Sequence, residues 1–580
     1  MSRFFSSRKV PDETETYIAD AASGPDPGVI TDGTLNFVAE GGENSSYTAY
    51  QEASGAPVES KSPLGYSVGP VTIAFLNLSR MVGTGIFSTP STILKGAGSV
   101  GLALFYWVIG FLIAASSLSV YLEFASYFPS RSGSEVVYLE QAYPRPKYFF
   151  PTVFAVQTVL LSFSASNTIV LAQYLYKIAG STPSSWEQKG VAVAAYTVTV
   201  GCMFLIFNTR WSLRLSNAIG LIKLLTLIFI SITGLVVLGG HTRVKNPTAN
   251  FKNAFNGTSG ATAYGATNAM YKIIFSYAGY ENAFNVVNEV KNPTKTLKLS
   301  APLALLGTTI LYILVNIAYF AASTKAQILA SKLTTASLFF DNVFGSSGAS
   351  KALSFLVAIS ALGNLIASLI GQSRVIRECG RQGVLPFTSF WTSTKPFGTP
   401  LGPYFLKWFL TVLMILAPPA VVDLAVYPTN VFGFTLAVGL FVLRYRRKRA
   451  NLPPAGFRAW DIAVIFSIIA NIYLMVMPWY PPTSGHGNVS FWYATYCAVG
   501  LAILAVCGIY YYVWIHLLPR FGHYQVRQAV VVLEDGAVMN TLTKVPDAEV
   551  EAWDASHDVT GRVLTHRRAH GVGDEKGGDV

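Results

Sequence analysis

Gly69-Pro70-Val71-Thr72-Ile73-Ala74-Phe75-Leu76-Asn77-Leu78-Ser79-Arg80-Met81-Val82-Gly83-Thr84-Gly85-Ile86-Phe87 is the stretch that decides the fold. It belongs to an apolar run from Tyr66 to about Lys95, long enough to cross a bilayer. Yet Gly83, Thr84 and Gly85 interrupt it, and glycine leaves a helix loose and its backbone open. In lipid, unpaired backbone groups survive only where protein buries them or where they line a cavity. A broken spanning helix therefore points to a binding site near the bilayer midplane. A kinked helix packed on small residues would account for the glycines as well, so the rest of the chain has to decide.

Hydrophobic residues make up 51% of the 580, charged residues only 12%, and mean hydropathy is +0.42. A soluble domain carries about 25% charged residues, so the composition indicates an integral membrane protein. The net charge of +12 is explained by loop charges and does not call for nucleic acid. Cys202, Cys379, Cys497 and Cys507 are scattered and form neither a metal-type spacing nor a disulfide framework. Residues 1–62 are polar and read as a disordered, uncleaved cytosolic tail; residues 521–580 read as a second cytosolic tail.

Between them, residues 63–520 hold twelve apolar segments. In order they are 66–95, 101–128, 149–178, 191–207, 216–239, 263–287, 299–322, 352–372, 404–424, 429–443, 460–479 and 491–518. The ninth contains Pro418 and Pro419, so its boundary with the short tenth is the loosest. Twelve spans put both tails on one side. Cytosolic tails give the inside loops 19 Lys and Arg against 9 outside, Lys407 being counted with the inside loops, and the positive-inside rule selects that orientation. The sequons at Asn256 and Asn488 then fall outside, as glycosylation requires.

The sixth segment repeats the anomaly of the first, with Phe275-Ser276-Tyr277-Ala278-Gly279-Tyr280-Glu281-Asn282 in its middle. The two breaks lie five spans apart, an odd number, so the two helices cross in opposite directions. That is the geometry of a five-plus-five inverted repeat with broken helices 1 and 6 in an all-α membrane protein.

These residues resemble the amino acid–polyamine–organocation transporters, in particular the L-type amino acid transporter branch and the fungal methionine permeases within it. The likeness rests on Gly83-Thr84-Gly85-Ile86-Phe87, Leu94-Lys95-Gly96-Ala97-Gly98-Ser99 and Ser130-Arg131-Ser132-Gly133. It extends to Phe275-Ser276-Tyr277-Ala278-Gly279, Asn288-Glu289-Val290-Lys291-Asn292-Pro293, and Ser373-Arg374 with Gly383-Val384-Leu385-Pro386, and covers roughly residues 64–520. The resemblance implies the five-plus-five fold and a zwitterion receptor at the breaks. Thr84 and Gly85 would offer N–H groups and a positive helix end to a carboxylate. Carbonyls near Met81, Val82 and Gly83, and from Phe275 through Tyr277 to Ala278, would take the ammonium. It also implies that Phe275 acts as a lid, and that Lys223 stands where a sodium ion sits in sodium-coupled relatives.

Three charges lie too deep for loops: Arg80, Lys223 and Glu281. Arg80 is about 16 Å along its helix from Gly69, roughly half of a ~30 Å hydrocarbon core. Charges at such depth face a partner or a watery cavity. For Lys223, snorkelling to the interface is the competing account. Arg80 and Glu281 are expected to pair across the inward pathway as a gate, with Glu289 or Glu123 as the other possible partners of Arg80. Ser162, Ser164, Ser166 and Asn167 give the third segment a polar face. Ser360, Asn364, Ser368 and Gln372 form a stripe on the eighth by their four-residue spacing.

The expectation is a plasma-membrane secondary transporter of neutral, methionine-like or other large L-amino acids working by alternating access. Proton symport is expected, with amino acid exchange and non-transporting amino acid sensing as alternatives. No enzyme, metal or cofactor pattern is present in the sequence. The expected partners are the amino acid, protons and the bilayer, with a partner subunit left open.

Overall fold

Pro70 opens the first helix, Pro70–Met81, at a position where its missing N–H costs nothing. Ile73, Leu76 and Met81 bury the apolar face. The helix stops at Val82, whose ψ of 77° is not helical, and Gly83 N–H turns back to the Met81 carbonyl at 2.8 Å. A short helix, Gly85–Ser88, restarts the chain, and Pro90–Ala97 completes the crossing. The sixth segment breaks as well. Thr262 caps the helix Ala263–Tyr277, Ala278 leaves helical geometry, and Gly279 adopts a φ of +124° open only to glycine. The chain resumes as the tight helix Asn282–Glu289.

This computed structural model describes residues 29–46, 48–203, 209–330, 335–345, 347–417, 426–482 and 492–564. Among them, eight helices are long and apolar enough to cross a membrane: 70–88, 100–127, 149–179, 210–238, 293–322, 351–381, 461–479 and 495–522. The other expected segments contain the helices Ser185–Gly201, Ala263–Tyr277, Leu401–Leu416 and Val426–Arg449, which fall short of that measure by length or by charge. Eight helices rather than twelve therefore meet it. Pro418, Pro419 and Asn488 lie outside the described residues.

Two differences from the sequence reading have clear causes. The polar patch of the third segment is itself a break: Phe149–Leu161 ends at Ser162, and Ala165–Ala179 begins after Ser164. Ser164 N–H is satisfied by the Thr411 hydroxyl at 3.0 Å instead of by its own helix. Lys407 is no loop residue. It sits in Leu401–Leu416, 0% exposed, and donates to the Gln372 side-chain oxygen. The ninth apolar segment, 404–424, already contains it, and the Gln372 side-chain oxygen gives its ammonium a partner inside the bundle.

The chain ends correct a third expectation. Residues 29–46 and 48–62 are ordered, although their composition reads as disordered. Strands β1 (Ile30–Asp32), β2 (Leu35–Glu40) and β3 (Ala49–Glu52) form an antiparallel sheet, with Phe37 opposite Ile30 and Glu52. After the last long apolar helix, 495–522, β4 (Tyr524–Val532) and β5 (Val538–Pro546) form a hairpin. The two ends interlock. Gln528 donates to Ala53 O at 2.9 Å, Asn540 to Gly55 O at 3.0 Å, and Arg562 pairs with Glu40 at 2.5 Å. Arg381, at the end of the long Ser347–Arg381 helix, donates to Val538 O at 2.7 Å. Both chain ends therefore lie on one face of the bundle, its tail side.

Candidate functional site

The carbonyls of the first break are held by groups from three other helices. Lys223, from Thr209–Leu238, is 2% exposed and donates from Nζ to Ser79 O at 2.8 Å and Val82 O at 2.7 Å. These are carbonyls that a helix ending at Met81 leaves without a donor. Ser360 Oγ lies 3.1 Å from Val82 O and 3.0 Å from Gly83 O. The Tyr312 hydroxyl lies 2.9 Å from Met81 O and 2.9 Å from Ser276 O. With one hydrogen it donates to one carbonyl at a time, and it links the two broken helices. Sequence reasoning missed Tyr312; its only signal was a polar atom on an apolar helix.

The carbonyl end of this break is thus already occupied, chiefly by an ammonium. The N–H end is open. Among the described residues, the N–H groups of Thr84, Gly85 and Ile86 make no hydrogen bond. They point from the start of a helix, where unpaired N–H groups and the dipole favour an anion. A polar chain passes beside them. Thr84 Oγ1 donates to Asn167 Oδ1 at 3.3 Å, Asn167 to Asn364 Oδ1 at 2.8 Å, and Arg80 Nη1 to the same Asn364 oxygen at 3.3 Å. Asn364 also donates to Arg80 O. Asn167 and the stripe on the eighth segment therefore meet here, while Gln372 turns to Lys407.

At the second break, Phe275 is 49% exposed, but Tyr277 is 1% exposed. Tyr277 packs edge-on against Trp107 with centroids 5.8 Å apart, stands 5.5 Å from Tyr312, and donates to Trp107 O at 3.1 Å. Its place is the packing between helices. The space beside the glycines of the first break is filled by the second break at Gly85 and by the Ser347–Arg381 helix at Gly83. A Cβ on Gly85 would come 2.7 Å from Ser276 Oγ, and one on Gly83 would come 2.9 Å from Asn364 Nδ2.

Arg80 and Glu281 do not form an ion pair within 4.0 Å. Glu281 accepts from Gly279 N–H at 2.9 Å, and Gly279 lies flat against the Arg80 side chain. The two alternative partners are taken as well: Glu289 pairs with Arg374 at 2.9 Å and Glu123 with Arg444 at 2.6 Å. The tail side instead holds a buried network. Arg131 bridges Glu140 (3.1 Å) and Glu378 (2.9 Å), Arg381 joins Glu378 (2.6 Å), and Arg377 joins Glu59 (2.6 Å). Burial opposes charge on Glu59, but Arg377 and Arg381 outweigh it and hold its carboxyl below the usual range. Asn256 is exposed in a loop. Among the described residues no His, Cys, Asp and Glu group could hold a metal ion.

Two broken helices are apposed inside a bundle whose long apolar helices mark an integral multi-pass membrane protein, and free N–H groups lie beside a buried ammonium. The amino acid permease family model matches residues 68–503, and the chain belongs to that family. It is 38% identical to the high-affinity methionine permease of Saccharomyces cerevisiae over 87% of this chain and 88% of that protein. It is 29% identical to the low-affinity methionine permease of the same yeast, over 83% and 89%. The human b(0,+)-type amino acid transporter 1 is 26% identical over 81% and 92%. The L-type resemblance read from the motifs agrees with these relatives.

Proposed function

We propose that the chain is a secondary active transporter that carries neutral L-amino acids, methionine and similar large or sulfur-containing ones first, by alternating access with protons. The observation that carries the reading is Lys223 holding Ser79 O and Val82 O while the N–H groups of Thr84 to Ile86 stay open. The substrate carboxylate takes those N–H groups, and its ammonium takes carbonyls of the second break around Phe275, Tyr277 and Ala278. Met81, Val82 and Gly83 frame the site. Phe275, with an open side, closes over the substrate side chain. The methionine permeases named above support the substrate class.

Lys223 couples the proton. While charged it stitches the end of the first helix to the bundle; on losing its proton it can donate less and must desolvate less. The carbonyls then loosen and the two halves can rock. The network of Glu289, Arg374, Arg131, Glu140 and Glu378 closes the tail side, in place of the pair expected from Arg80 and Glu281. The twelve-span, five-plus-five arrangement, cytosolic termini and a plasma-membrane location belong to the same reading, supported by the opposed breaks and the loop charges.

The test uses vesicles containing only this purified protein. Methionine should accumulate under an acid-outside gradient, stop with a protonophore, and be competed by large neutral amino acids. Absence of uptake under any gradient would overturn transport in favour of sensing, and uptake that requires internal amino acid would replace symport by exchange.

A further inference from the structure

Asp32, Gly33, Thr34 and Leu35, in the turn between β1 and β2, form a cavity of about 320 Å³ with Arg145, Tyr445, Arg446 and Arg449. That volume is in the range of small-ligand sites. Its charge balance is unusual. Arg449 pairs with Asp32 at 3.1 Å. Arg145 and Arg446 have no carboxylate within 4.0 Å among the described residues; they donate to neutral carbonyls, Arg145 to Thr34 O at 2.5 Å and Arg446 to Ala142 O at 2.7 Å. Each guanidinium has five donors in a planar fork, so most of theirs remain free. Three cations against one anion leave a net charge of +2 facing one hollow.

The place of the hollow narrows the ligand. Arg446 and Arg449 end the Val426–Arg449 helix where it leaves the bundle on the tail side. Tyr445 is exposed beside them, and Arg444 bonds Asp461 at 2.5 Å, which brings the exposed Trp460 and Ile462 of the next helix alongside. Exposed aromatic and aliphatic side chains beside arginines mark the bilayer interface. Arginine forks match phosphate oxygens in pairs, and basic hollows at this depth suit lipid headgroups.

We propose that this cavity binds the phosphate of an anionic phospholipid headgroup, with Arg145 and Arg446 as its donors and Asp32 as the carboxylate it displaces from Arg449. Because Asp32–Leu35 belongs to the N-terminal sheet, the lipid would fasten that sheet to the membrane surface. The site does not depend on what the bundle transports.

The experiment is native mass spectrometry of the full-length protein with phosphatidylcholine, phosphatidylserine or phosphatidylinositol 4-phosphate, and with inorganic phosphate as a soluble competitor. The two anionic lipids should be retained over phosphatidylcholine, and inorganic phosphate should not displace them. R145Q/R446Q should weaken retention about thirty-fold, with an unchanged melting temperature in detergent to show a folded protein. Equal retention by the double variant, or displacement of the lipid by inorganic phosphate, would overturn the proposal. If the double variant does not fold, Asp32→Asn decides: it should tighten anionic-lipid retention, and unchanged retention would refute the site.

Discussion

At Lys223 the cost of a buried charge is met by two carbonyls that a broken helix leaves free, and neither feature is stable without the other. Lys223→Met removes both hydrogen bonds; it strands Ser79 O, at a cost of about 1–3 kcal/mol, and leaves Val82 O only the Ser360 hydroxyl. The variant should reach the membrane and lose proton-driven methionine uptake; uptake with unaltered dependence on the pH gradient would assign the lysine a packing role only. Gly85 has a different constraint. The absent side chain leaves room for Ser276 Oγ, 2.7 Å from where a Cβ would stand. Gly85→Ala should therefore impair uptake through overpacking, by about 1–3 kcal/mol, and Gly85→Ala with Ser276→Gly should restore much of it. Failure of the restoring change would locate the sensitivity in the approach of the substrate carboxylate. The depth of Lys223 was readable from the sequence, because charge inside an apolar window is conspicuous. Its partners were not, since Ser79 and Val82 are 144 and 141 residues away.

At the level of elements, the two breaks are separated by Gly279 and joined by Tyr312, not by opposite charges. The double swap Arg80→Glu with Glu281→Arg should therefore leave uptake abolished, as each single change does, because Arg80 is held by Asn364. A swap that recovers a measurable fraction of uptake would restore the Arg80–Glu281 gate. The pair that does form is Arg374–Glu289, 3% and 0% exposed. Arg374→Gln would leave Glu289 buried without its counter-charge, a loss of about 3–5 kcal/mol. A thermal shift assay in detergent should show a markedly lower melting temperature, and one unchanged from wild type would contradict the assignment. In the sequence Arg374 stood only in a motif and Glu289 only as a possible partner of Arg80; which carboxylate meets which guanidinium depends on how the long Ser347–Arg381 helix lies against its neighbours.

Across the whole molecule, the chain ends form a latch over the tail side. Glu59 brings the N-terminal segment to Arg377, and the C-terminal hairpin reaches Arg381 and Gly55. Truncation after residue 523 should raise hydrogen exchange in residues 35–56 while leaving the spanning helices protected; unchanged exchange there would mean that the two ends hold independently. The ion pair at Glu59 also sets a pH window. Its carboxyl is held below the usual range in the fold, so its stabilisation is fully present above the ordinary carboxylate value of about 4.3 and is lost as pH falls through the lower folded value. The latch should therefore be indifferent to pH between about 5 and 8, as read by thermal unfolding of wild type against Glu59→Gln. A gap between them that closes within that window would contradict the pairing.

The sequence by itself determined that this chain lives in a membrane, that its first and sixth apolar segments break, and that charge lies deep beside the breaks. Each of these is local: hydropathy, glycine and the position of a charge within a window can be read from neighbouring residues. Only the tertiary structure decided that residues 29–46 and 48–62 are ordered, that Lys407 is interior, that the third segment breaks, and that Arg80 turns to Asn364. Those outcomes rest on hydrogen bonds and ion pairs between residues far apart in the chain. The N-terminal segment, for example, is held by Arg377 and Arg381, which reach Glu59 from over three hundred residues away, and by Gln528, Asn540 and Arg562 from the other chain end.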